Sequence, residues 1–198
     1  MRITGGIHRS RTLRAPRGAA TRPTSDRVRE ALFSIVSAER ALDGARVLDL
    51  YAGTGALALE AISRGAAEAT VVEFAKDALA AIRANIAMLD VADRVRVVAG
   101  RVERAASLLT AGAPFDLVFA DPPYIDAITS APRALAALAA AKLFAPGALV
   151  VLEHASRDAA PVIAGLLLET TRRYGDSALA FYALAVAPGV QDGSEPKD

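Results

Sequence analysis

The run FDLVFADPPY, residues 115 to 124, places a carboxylate, two prolines and an aromatic ring directly after a strand-like apolar segment. Two consecutive prolines fix two φ angles and remove two N–H donors, so the loop is rigid and its carbonyl oxygens are left to accept. Asp121 adds a carboxylate acceptor beside them. An amino group conjugated to a ring or a carbonyl is a poor nucleophile because its lone pair is delocalised. Asp121 and the Pro122 carbonyl can each accept one amine hydrogen, drawing the nitrogen toward tetrahedral geometry and aiming its lone pair at an electrophile. Tyr124 offers a stacking face for the base that carries the amine, a contact worth roughly 1–3 kcal/mol. Asp121 can afterwards help to remove the surplus proton.

A second constellation lies upstream in DLYAGTGALA, residues 49 to 58. Tyr51 and Ala52 enter a turn in which Gly53, Gly55 and Ala58 fit the G-x-G-x-x-G/A pattern that lets backbone approach a ligand at a helix N-terminus. Glu73 follows Gly55 by 18 residues, at the end of the next apolar run, where an acid accepts from both hydroxyls of a ribose. NAD and S-adenosylmethionine both contain that ribose. Asp49 favours the second, since a carboxylate before the turn repels a pyrophosphate and attracts the ammonium of a methionine moiety. Phe74 is placed either to pack on the adenine or to fill the core.

These residues need a scaffold that brings distant loops together. From Ala45 onward, apolar runs at 46–51, 69–74, 94–100, 115–120 and 148–154 alternate with helical spacing at 55–65, 76–89, 101–109 and 131–143, the last strand being introduced by a Pro146-Gly147 turn. The alternation predicts an α/β fold with a parallel sheet covered on both faces. Runs at 166–173 and 178–186, joined through Tyr174-Gly175-Asp176-Ser177, predict an antiparallel C-terminal hairpin and seven strands in all. Residues 26–39 read as a helix capped by Ser25 or Thr24, and residues 1–23 as a small β-ribbon. The expected division is a basic extension over 1–40, a catalytic domain over 41–188 and a polar, frayed tail over 189–198.

Composition narrows the function classes. The chain has 198 residues, 53% of them hydrophobic, with room for one well-cored domain. No uncharged apolar run reaches the roughly 18 residues of a membrane span. Cysteine is absent and the histidines are His8 and His154, so no disulfide framework, thiolate site or metal centre is expected, and a cytoplasmic setting is. The N-terminus has no apolar core of the signal-peptide type. Net charge is +1, yet residues 1–30 hold eight arginines against Asp26 and Glu30, a local +6 that leaves −5 for the remainder. That asymmetry suggests contact with a phosphate backbone.

The motifs resemble those of class I amino-methyltransferases, in which a D/N/S-P-P-Y/F/W loop marks transfer to exocyclic or amide nitrogen. MRITGGIHRSRTL, TRPTSDRVREALF, LDLYAGTGALALEAISRGA and FADPPY together are similar to the RsmD-type 16S rRNA (guanine-N2)-methyltransferases of bacteria, and the likeness covers nearly the whole chain. It implies a Rossmann-like methyltransferase fold, S-adenosylmethionine as cofactor, and the 2-amino group of one guanine in assembled or partly assembled small subunits as target, with the protein expected to be a monomer. Arg2, Arg9, Arg11 and Arg14 would hold the RNA loop by its phosphates, and Arg22, Thr24, Arg27 and Arg29 would line the mouth of the cofactor cleft, the three arginines there also facing the RNA. Arg27 or Arg29 could instead pair with Asp26, Glu30 or a core carboxylate. One departure stands out: where relatives place an acid that accepts from the adenine amine, this chain has Gly100-Arg101-Val102, and arginine accepts nothing. Backbone of Arg101 or Val102 is left to read the adenine. Rival readings are a DNA or other RNA amino-methyltransferase, or an assembly factor without activity.

Overall fold

The computed structural model describes residues 1–16, 26–39, 42–109 and 114–185. Its strands are β1 (Arg46–Leu50), β2 (Glu68–Glu73), β3 (Val95–Ala99), β4 (Phe115–Ala120), β5 (Phe144–Ala155), β6 (Leu166–Tyr174) and β7 (Ser177–Leu184). They form one seven-stranded sheet in the order β3-β2-β1-β4-β5-β7-β6. The pairs among β1 to β5 are parallel, and β7 runs antiparallel to both β5 and β6. This is the fold class expected from the alternation of apolar runs. No helix among the described residues is long and apolar enough to cross a membrane.

Helices α1 (Asp26–Glu39), α2 (Ala56–Ser63), α3 (Lys76–Leu89), α4 (Ala105–Leu108), α5 (Tyr124–Ile128) and α6 (Ser130–Ala140) surround the sheet. β1 and β4 read as continuous apolar runs because each buries both faces. One core cluster joins Val47, Val71, Phe119 and Phe181 to Phe33 of α1, Leu59 of α2 and Ile82 of α3. The other joins Leu48, Val118 and Val150 to Ala105 of α4 and Leu135 of α6. Ile3 and Leu13 belong to the first cluster, so the N-terminal segment shares the sheet's core.

Several local expectations are corrected. Among the described residues the N-terminal ribbon reduces to one bridge, Arg2 with Thr12, closed by the Ile3 N–H on the Arg11 carbonyl at 2.9 Å and the Ser10 N–H on the Ile3 carbonyl at 2.9 Å. Pro146 and Gly147 do not precede the fifth strand. They lie inside it, where pairing jumps from Phe115–Phe144 to Leu117–Leu149 and Gly147 takes φ 74°. Helix α5 was not anticipated, since five residues carry too little periodicity to read. The caps assigned to Thr24 and Ser25, Arg22 and the tail beyond residue 188 lie outside the described residues.

Candidate active site

Parallel pairing sets the site. Leu50 lies opposite Val72 on one side and Ala120 on the other, so Tyr51, Glu73 and Asp121 follow in one row at the carboxyl edge of the sheet. The chain winds outward from β1 through β2 to β3 and then resumes at β4 on the other flank, which makes the β1/β4 junction the topological switch where ligands of such sheets bind.

The glycine turn is left-handed at three positions, with φ 60° at Tyr51, 56° at Gly53 and 76° at Gly55. A side chain at Gly53 would meet nothing closer than the Tyr51 carbonyl at 3.9 Å, so the backbone there faces open space that a ligand can approach. The Tyr51 backbone is strained for a non-glycine residue, a feature typical of functional turns. Glu73 pins this turn to β2. Its Oε2 accepts the Gly53 N–H at 2.9 Å, and its Oε1 accepts the N–H groups of Phe74 and Ala75 at 2.7 and 2.8 Å. Three N–H donors leave a carboxylate with acceptor capacity for a hydroxyl.

Asp49 is buried, and its Oδ2 accepts the Ala58 N–H at the start of α2 at 3.0 Å. Its Oδ1 is buried without a partner, an arrangement that calls for a donor or a cation. Burial pushes this carboxyl up to about 8; the Ala58 bond opposes the rise, and the charges of Asp121 and Glu73 add to it. The residues present therefore fit the ribose and ammonium of S-adenosylmethionine.

A pH effect follows. Asp49 in the folded, cofactor-free protein retains a proton that the unfolded chain, near its ordinary 3.8, has released. Its contribution to stability therefore falls as pH rises through the window from about 4 to about 8, then levels. Urea midpoints for wild type and Asp49→Asn between about pH 5 and about pH 8 should diverge, the variant losing that slope. Parallel curves would mean that Asp49 is ionised throughout.

Beyond β4, Asp121 is half-buried, Pro122 is buried and Tyr124 opens α5. The Tyr124 hydroxyl lies 3.0 Å from Ser177 Oγ, which donates to Glu153 Oε1 at 2.7 Å. Tyr51 reaches Ser130 at 3.4 Å, and Ser130 donates to Asp126 at 3.1 Å. Burial raises the Tyr51 phenol above its usual range, against the Ser130 bond. Phe74 is 55% exposed, which removes the core alternative for it. The Arg101 guanidinium covers its ring at 4.6 Å, while Val102 is buried in the second core cluster.

Arg2, Arg9, Arg11, Arg14 and Arg27 are exposed. Arg29 is not: it is 0% exposed, bonds Asp26 at 2.8 Å and the Arg2 carbonyl, and faces Glu60 at 3.4 Å. A guanidinium enclosed in this way cannot reach a phosphate, so Arg29 leaves the RNA-facing set and belongs to the fold, as the pairing with Asp26 and a core carboxylate already allowed. Glu60, wholly buried on α2, also accepts Thr4 N–H, Thr4 Oγ1 and Gly5 N–H at 2.7, 2.8 and 2.7 Å, and pairs with Arg64 at 2.8 Å. Buried Asn85 of α3 accepts the Arg14 N–H at 2.7 Å and donates to the Thr54 carbonyl at 3.0 Å, tying the arginine segment to the glycine turn. Sequence reasoning passed over Glu60, Asn85, Ser177 and Glu153. A charged or amide residue amid the apolar residues of a helix was the available signal for the first two.

A glycine turn after β1, an acid ending β2 and a diproline loop ending β4, on a sheet of this order, define a class I methyltransferase fold. Residues 1–183 match the family model described as conserved hypothetical protein 95, and the chain belongs to that family. YlbH of Bacillus subtilis, which carries a provisional rRNA-methyltransferase name, is 32% identical over 186 residues, covering 92% of this chain and 98% of its own. Ribosomal RNA small subunit methyltransferase D of Escherichia coli K12 is 41% identical over 124 residues, covering 63% of this chain and 60% of its own. The solved structure of yhhF from Escherichia coli aligns with a TM-score of 0.78 at 34% identity, covering 93% of this chain and 97% of that one.

Proposed function

We propose that the protein methylates rRNA, transferring a methyl group from S-adenosylmethionine to the exocyclic N2 amine of a guanine in 16S rRNA within assembled or partly assembled small subunits. The observation that carries this reading is the Asp121-to-Tyr124 loop at the carboxyl edge of β4, across the switch point from the Gly53 turn and Glu73. The rRNA-methyltransferase names of two relatives support the substrate class.

Bound S-adenosylmethionine supplies the electrophilic methyl. The chain's own residues do the rest. Glu73, three of whose acceptor sites are taken by Gly53, Phe74 and Ala75, would accept a ribose hydroxyl with the one that remains, and Asp49 Oδ1 would meet the ammonium. The Asp121 carboxylate and the Pro122 carbonyl accept the two amine hydrogens, which localises the nitrogen lone pair and aims it. The Tyr124 ring stacks on the guanine, and Asp121 Oδ receives the proton released after transfer. Exposed Arg2, Arg9, Arg11, Arg14 and Arg27 hold phosphates around the loop that presents the base.

The test is tritium transfer from labelled cofactor into small subunits from cells lacking this protein, with nucleoside analysis of the digested RNA. Label in N2-methylguanosine is expected. Binding without label would favour an assembly factor, and label in DNA would move the substrate class. Glu73→Ala should weaken cofactor binding about 10- to 100-fold by calorimetry, the loss of hydrogen bonds to a charged acceptor.

A further inference from the structure

We propose that Ser177 and Glu153 are positioning residues for methyl transfer, holding the Tyr124 ring through a one-way hydrogen-bond chain in the place where the acceptor base stacks. The inference rests on the reading that Tyr124 receives that base.

Ser177 has a single hydroxyl proton, and it is committed to Glu153 Oε1 at 2.7 Å. The Tyr124 hydroxyl, 3.0 Å from the same serine oxygen, must then be the donor. The chain runs Tyr124 to Ser177 to Glu153 and in no other sense. Pro122 and Pro123 constrain the backbone ahead of Tyr124, but the ring still turns about two side-chain torsions. A bond at the ring's far tip stops the first, which swings the whole ring; the hydroxyl oxygen lies on the axis of the second, which the bond restrains only through the preference of the phenol O–H for the ring plane. Stacking by itself asks nothing of a hydroxyl, and phenylalanine would serve as well.

The anchor is built to be rigid. Ser177 opens β7 opposite Ala155 of β5 and Tyr174 of β6, with 9% of its surface exposed. The turn before it is fastened to the end of β5: the Ser156 N–H donates to the Asp176 carbonyl at 2.8 Å and its hydroxyl to the Gly175 carbonyl at 2.7 Å. Glu153 sits within β5 opposite Leu179 and is 8% exposed. A carboxylate withdrawn this far from water needs hydrogen-bond partners, and its serine partner leads straight to the candidate stacking ring. The antiparallel hairpin thus supplies a group to a site otherwise made by the parallel strands.

Single-turnover methyl transfer into small subunits tests this with Tyr124→Phe, Ser177→Ala, their double variant and Ser177→Thr. Tyr124→Phe and Ser177→Ala should each slow transfer about tenfold through misplacement of the base, with cofactor affinity close to wild type; Tyr124→Phe should also keep its melting temperature, whereas Ser177→Ala, which takes a partner from buried Glu153, should melt somewhat lower. The double variant should be no slower than either single one, because both cut the same chain. Ser177→Thr, which restores a hydroxyl and suits a strand, should recover the rate to within about twofold of wild type. Wild-type rates in Ser177→Ala, or independent losses that multiply in the double variant, overturn the proposal. NMR of protein labelled at tyrosine Cζ needs no substrate and separates this inference from the functional reading. The Tyr124 signal, identified by its loss in Tyr124→Phe, should shift and broaden in Ser177→Ala. An unmoved signal overturns the anchoring even if RNA is methylated; a moved signal with no methylation of RNA by wild type means the functional reading has failed instead.

Discussion

Asp121→Ala should lower single-turnover methyl transfer by about 10²- to 10³-fold while changing RNA affinity by no more than about twofold. The magnitude is that of removing one preorganised polar partner from a reacting group. Asp121 lies just beyond the end of β4, half-buried, and close enough to Asp49 for its charge to bear on it. The variant leaves the Pro122 carbonyl as a lone acceptor, so the amine lone pair is aimed only in part. Asp121→Asn retains a carbonyl acceptor and should lose less. Removing a negative charge near the place of a cationic cofactor should also weaken cofactor binding modestly, so transfer is measured at saturating cofactor, with affinity measured separately by calorimetry. Equal losses in RNA binding and in rate would instead make Asp121 a binding residue.

Glu60→Ala should destabilise the fold by about 3–5 kcal/mol, the cost of breaking a buried ion pair by removing one member. Glu60 and Arg29 side chains are both wholly buried and lie 3.4 Å apart. The substitution leaves the Arg29 guanidinium, whose Nη1 already has no partner, with Asp26 and the Arg2 carbonyl alone, and frees the N–H groups of Thr4 and Gly5. Set against the roughly 5–15 kcal/mol of a typical domain, such a loss is large. Urea unfolding should show a lower midpoint, and proteolysis should cut the N-terminal segment first, because Glu60 shares with Ser63 the work of holding it to α2. Glu60→Gln, with one amide oxygen still accepting, should cost less. An unfolding free energy within a few tenths of a kcal/mol of wild type would show that the buried pair contributes no stability.

Much of the architecture was legible because it rests on periodicity. Strands buried on both faces are mostly apolar, and the helices between them repeat at their own spacing, as α3 over Lys76–Leu89 does without error at either end. The glycine turn and the diproline loop were legible for another reason: backbone in the left-handed region and a rigid acceptor loop each require particular residue types, so their chemistry is written in one dimension. Pro146 and Gly147 misled for the same reason turned round. They signal a turn, but pairing with β4 on both sides of an irregularity absorbs them into β5.

The amino-acid order alone therefore determined the α/β class, the strand count, the family resemblance and the location of the two motifs. Tertiary structure decided which polar groups meet. Arg29, one of eight arginines in a basic segment, was indistinguishable from its neighbours by type, and only the packing of α1 on α2 turned it inward to Glu60. Asn85 reaches Arg14 across 71 positions, and Tyr124 reaches Ser177 across 53. A hydrogen bond is directional and short-ranged, and residues this far apart in the chain carry no shared pattern that would reveal it before the backbone brings them within 3 Å.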